Sequence, residues 1–172
     1  MSIIRNWSAG NVIISQGGLF ITTFNPVLGL YTPLIINAVQ FIFVLIGLVY
    51  IQQIAGKRPL FLISIASLAI LNLALSVAMA YENIIISLMI MCIYMVIYGA
   101  SFISPIWAYP SEILPASKSL CPNILHWLSL SISTLVPPIV AGMMPNNNSY
   151  PVFIFFGLYC LFGFAHVFRY LR

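Results

Sequence analysis

Residues 51–60 read Ile-Gln-Gln-Ile-Ala-Gly-Lys-Arg-Pro-Leu, and the pair Lys57-Arg58 within them decides the fold. Apolar runs flank the pair at 31–54 and 59–80. Each is long enough to cross a hydrocarbon core of about 30 Å as a helix of about 20 residues. Working outward, four more runs of this kind lie at 9–28, 84–108, 119–143 and 150–170. All six cations then fall on one side of the alternating count. Arg5 precedes the first block, Lys57 and Arg58 occupy the second connection, Lys118 the fourth, and Arg169 and Arg172 end the last. The first, third and fifth connections hold no Lys or Arg. Cytoplasmic loops collect positive charge, so both termini and the even connections are expected in the cytoplasm. The expectation is an all-α membrane protein of six transmembrane helices.

Composition supports this and removes other classes. The chain has 172 residues, 62% hydrophobic and only 5% charged, against about 25% charged in a soluble domain. Its net charge of +4 comes from dispersed cations and forms no basic patch, so nucleic acid is not expected as a partner. Met1 to Trp7 is polar and no cleavable signal peptide is read. Asp is absent, and Glu82 and Glu112 are the only carboxylates. No Ser-His-Asp set, paired-carboxylate site or phosphate-cradling loop can be assembled from such a chain. Two isolated histidines make no metal site, and Cys92, Cys121 and Cys160 lack metal-type spacing and read as packing residues. Neither an enzyme nor a cofactor or metal is expected.

The connections are short. Asn25-Pro26 and Tyr81-Glu82-Asn83 read as external turns, and 145–151 as the longest external loop, with an N-glycosylation acceptor at Asn147. Two blocks are interrupted: the first by Gln16-Gly17-Gly18, the fourth by Gly99 and Pro105. Counted in threes, these are the first helices of two successive three-helix units. Interruptions at matching places in two repeats point to a transporter's binding site. Close helix packing through small residues gives the same pattern.

The fourth block ends Ser104-Pro-Ile-Trp-Ala-Tyr-Pro-Ser-Glu-Ile-Leu-Pro115. This resembles the G-P-x-x-W-x-x-x-x-E-[IL]-F-P signature of the sugar porter family in the major facilitator superfamily. Ala55-Gly-Lys-Arg-Pro-Leu60 is similar to that family's D/E-R-x-G-R-[RK]-P-L loop, and one helix separates the two, as the family requires. His126-Trp127 followed by Pro137-Pro138 resembles the Asn-Trp and Pro-Pro of its eleventh helix, and Gln16 falls where its seventh carries Gln-Gln-x-x-Gly. The sequence also departs from the pattern. Gln53 and Ile54 stand where an acidic residue and an Arg would precede the loop glycine, and the stretch from Pro105 to Trp107 is one residue short.

The resemblance spans nearly the whole chain and implies the C-terminal six-helix half of a twelve-helix transporter. It implies transport of a hexose or related polyol by alternating access. With no carboxylate at membrane depth to carry a proton, facilitated diffusion is the more natural mode. The implied partners are a small-molecule sugar, the lipid bilayer, and either a missing N-terminal six-helix half or a second copy. The plasma membrane is the implied location. The alternatives are another small polar solute, or a non-transporting membrane scaffold or degenerate half-transporter.

Individual residues carry two readings each. The resemblance favours Gln16 as a substrate amide, against a bond to a neighbouring helix. Asn37 and Gln40, three apart and so on one helical face, are either substrate amides or interhelical contacts. Trp107 matches the signature Trp, whose ring resembles a stacking platform under a sugar; the alternative is an interfacial belt residue. His126 and Trp127 are candidates for substrate contact or inner-gate packing. Glu112 matches the family's gate carboxylate, with Gly56, Lys57, Arg58 and Lys118 as the cytoplasmic gate around it. A solvated end-of-helix charge is the bland alternative.

Overall fold

Asn25-Pro26 is where the apolar sequence is first cut. The Asn25 side chain accepts from the Leu28 N–H at 3.2 Å, and Pro26 needs no partner for an N–H it lacks. Asn at the cap and Pro just inside it start a helix. The boundary therefore falls inside the expected block 9–28, at the expected Asn25-Pro26 turn, and starts the second helix five residues earlier than 31. The computed structural model describes residues 8–22, 25–47, 49, 57–103, 120–143 and 150–170.

Helix α1 runs Gly10–Thr22 and α2 Pro26–Ile46. Helix α3 covers Lys57–Ala80, and α4 covers Ile84–Ile97 and continues as a π-helix over Tyr98–Ile103. Helix α5 is Leu120–Met143 and α6 is Tyr150–Tyr170. Among the described residues there is no strand. Among the described residues four stretches are long and apolar enough to cross a membrane: Pro26–Ile46, Pro59–Ala80, Ile84–Ser101 and Tyr150–Arg169. A shorter apolar stretch, Trp127–Val136, lies in α5. The protein is an all-α, multi-pass membrane protein. In hydrocarbon every backbone group must be satisfied internally, which leaves such a sequence no other choice than helices.

The turn between α3 and α4 is closed on both sides. Asn83 N–H donates to Ala78 O and Glu82 N–H to Met79 O, each at 3.1 Å. Glu82 takes φ 54°, the left-handed conformation that glycine normally supplies at a helix C-terminus. The Asn83 side chain then caps α4 by accepting from Ile86 N–H at 3.2 Å. Lys57 and Arg58 open α3, at the positive end of its dipole. Cations gain nothing there from the helix, so helix stability does not account for their position.

Helices α3 and α6 pack along most of their length, α1 lies on α2, and α4 sits against both α2 and α3. Helix α5 meets the others chiefly along α1 and only thinly along α6. The core shared by α1, α2, α3, α4 and α6 includes Leu68, Leu75, Met91, Tyr94, Phe153 and Phe156, all fully buried. Phe20 of α1 meets Phe153 edge-on with centroids 5.4 Å apart. Outward, α2 exposes Leu30, Leu34 and Phe41, the apolar stripe a lipid-facing helix presents.

Two of the sequence interruptions are close helix contacts. A Cβ on residue 18 would lie 2.8 Å from Pro33 Cγ and 3.0 Å from Gly29 O, so only glycine lets α1 and α2 approach this far. At residue 99 a Cβ would lie 3.0 Å from Gln40 O and 3.3 Å from Val44 Cγ2 of α2. Small residues at such crossings allow the backbone approach that holds membrane helices together.

Candidate functional site

The seam between α1 and α5 is polar. Gln16, half-buried on α1, donates from Nε2 to the backbone carbonyl of Thr134 on α5 at 3.2 Å. Among the described side chains of α5, Ser129 and Ser133 are buried, while Ile124, Trp127, Leu128, Ile132, Leu135 and Ile139 are exposed. Ser133 Oγ turns back to Leu130 O at 2.9 Å. Ser129 Oγ is buried with no partner among the described residues. A buried hydroxyl without a partner is costly, and this one lies on the helix face that Gln16 meets.

Of the other candidates, Asn37 and Gln40 lie on α2, away from this seam. Asn37 is exposed in the outward stripe of α2 with Leu34 and Phe41, and its Nδ2 donates to Pro33 O of its own helix at 2.8 Å. Gln40 is half-buried, on the side of α2 where its backbone carbonyl meets Gly99. Thus the two amides, three apart in sequence, stand in different surroundings. Trp127 is 64% exposed on α5. Of His126, the helical backbone alone is described, and the same holds for Lys57 and Arg58. Trp107, Gly56, Glu112, Lys118 and the Asn147 acceptor lie outside the described residues. Among the described residues no group of three or more His, Cys, Asp or Glu lies together.

A second polar cluster went unread in the sequence. Asn72 of α3 is fully buried; its Nδ2 donates to Ser8 O at 3.3 Å and approaches Cys160 Sγ of α6 at 3.9 Å. Tyr94 of α4, also fully buried, donates its hydroxyl to the same Ser8 carbonyl. Two side-chain donors from two helices therefore hold the backbone just before α1, where Ala9 takes φ 69°. Asn72 Oδ1 is buried without a partner among the described residues. The available signal was a lone amide in the run Leu71-Asn72-Leu73, since a polar group at membrane depth is expensive and so placed for a reason.

Near the end of α4 the hydroxyl of Ser101 donates to Ile97 O at 2.7 Å, and Ser64 Oγ of α3 reaches Ser101 O at 3.5 Å. This π-helical segment lies directly ahead of Pro105 in the sequence. Single π turns within α-helices recur at functional sites.

A family model described as "Sugar (and other) transporter" matches residues 4–171 of the chain. No curated protein and no solved structure matches it.

Proposed function

This chain belongs to the sugar (and other) transporter family, and from that premise we propose that it carries a hexose or related polyol across a membrane by alternating access. The family match across nearly the whole chain is the observation that carries the reading. Beyond membership, the fine assignments are these. The six helices are the C-terminal half of a major facilitator, with both termini in the cytoplasm and the plasma membrane as location. An N-terminal six-helix half or a second copy completes the path. Sugar hydroxyls meet the amides of Gln16, Asn37 and Gln40 and the His126 ring, while Trp107 and Trp127 offer aromatic faces to the C–H side of the sugar. Glu112 pairs with Lys57, Arg58 or Lys118, with Gly56 at the turn, to close the cytoplasmic side. Transport is passive, since the described membrane-spanning segments offer no carboxylate to carry a coupled proton.

One observation favours a second reading. Gln16 bonds the backbone of another helix, which is what a non-transporting scaffold would use a midhelix amide for. Uptake of radiolabelled hexose into proteoliposomes separates the two, with the chain tested alone and beside an N-terminal half. Transport is expected in at least one arrangement, and Trp107→Ala is expected to abolish it. Absence of uptake in both arrangements would remove hexose transport and leave the scaffold or another solute.

A further inference from the structure

Helix α5 carries Pro137 and Pro138 in its interior. Proline has no N–H, so the carbonyl four residues before it loses its intrahelical donor. For Pro138 that carbonyl belongs to Thr134. A backbone carbonyl left bare at membrane depth is expensive, and membrane helices tolerate proline because neighbouring groups take up the freed acceptor. The donor here comes from another helix: Gln16 Nε2 reaches this same carbonyl at 3.2 Å. Thr134's own hydroxyl is engaged elsewhere, at 3.0 Å from both Leu130 O and Ser131 O. Small buried residues on the inner face of α5, Ser129 and Ser133, bring α1 near enough for the amide to arrive.

We propose that Gln16 is a latch that pins α5 to α1 at its proline hinge. A helix bends at proline because the ladder is already broken there. While the amide holds the Thr134 carbonyl, α5 keeps one bend relative to α1. Loss of the amide releases the hinge, and among the described residues α5 touches the rest of the bundle only thinly. A ligand hydroxyl that takes up the Gln16 amide would have the same effect. That release rests on the hexose reading; the latch itself rests on Pro138 and the Thr134 carbonyl alone.

The test is a double-mutant cycle of Gln16→Leu and Pro138→Ala on the full chain in lipid nanodiscs. Alanine at 138 restores the N–H that Thr134 O lacks, so the latch loses its purpose. Gln16→Leu is expected to lower the melting temperature by about 2–4 °C with Pro138 present, and by less than about 1 °C once Pro138→Ala is in place. Equal losses in the two backgrounds would overturn the latch. Should Pro138→Ala not fold, isotope-edited infrared spectra of 13C-carbonyl threonine carry the test. The four threonines include Thr134, and the Gln16→Leu difference spectrum is expected to show one carbonyl band moving to higher frequency. A flat difference spectrum would overturn the proposal. Adding D-glucose to the unmodified chain is expected to move the same band. A coupled cycle with no response to D-glucose upholds the latch and counts instead against hexose as the solute.

Discussion

Replacing Gly18 by alanine tests how closely α1 and α2 are packed. The new methyl would stand 2.8 Å from Pro33 Cγ and 3.0 Å from Gly29 O. Optimal carbon contacts lie at about 3.5–4.0 Å, so the helices must part by roughly 0.5–1 Å. Neither obstacle can swing aside: one is a proline ring, the other backbone. Overpacking of this kind costs about 1–3 kcal/mol, which corresponds to a fall in melting temperature of about 2–10 °C. Gly17→Ala is the internal control. Its methyl would meet Ile36 Cδ1 at 3.1 Å, the far end of a flexible side chain that can rotate away. Thermal unfolding in detergent, followed by the reactivity of buried Cys160 toward a thiol dye, reads both variants. If Gly18→Ala melts with Gly17→Ala, the α1–α2 crossing is not limited by that glycine and the argument fails.

The remaining predictions use the same assay except where stated. Tyr94→Phe removes a donor to Ser8 O and should cost about 1–2 kcal/mol. Asn72→Leu should cost less than about 1 kcal/mol, because the burial of Asn72 Oδ1 without a partner is relieved as its two donor contacts are lost. Asn83→Ala strips the cap from α4 and should cost about 1 kcal/mol, with Asn25→Ala doing the same at α2. Glu82→Gly should raise stability by about 1 kcal/mol by removing a side chain from left-handed backbone. Asn37→Leu should change stability by less than about 0.5 kcal/mol, since among the described residues its amide bonds its own helix. If Asn37 binds substrate in the assembled transporter, the same variant raises KM for hexose uptake.

The helical, membrane-spanning character was legible because 62% apolar residues with six cations leave no other solvent for these runs than lipid. Where helices start was less legible. Hydropathy does not register a cap: Val27 and Leu28 are as apolar as the rest of the helix, yet Asn25 and Pro26 set the start of α2. The π-helical turn of α4 was not legible at all, since the close approach of Gly99 to α2 exists only once the helices have met. Gln16 shows the same limit at the site. The four-residue step from Thr134 to Pro138 stands in the sequence, but not which helix supplies the donor. Asn72 was missed for a different reason: the argument that an amide is costly in an apolar helix applies to it as fully as to Gln16.

The widened turn at Tyr98–Ile103 also bears on how this chain should be aligned with its family. Bonding five residues back rather than four accommodates one extra residue per turn, which is the form an α-helix gives to a single inserted residue. A few positions on, the stretch from Pro105 to Trp107 is one residue shorter than the family signature. An insertion at the π turn paired with that shortening would restore the count, leaving an ungapped alignment out by one position between the two. Removing a single residue from 98–103 should return the segment to a regular α-helix and leave the helix faces on either side of it where they are. The same deletion in the regular α-helix of Ile84–Ile97 should turn everything after it by about 100°.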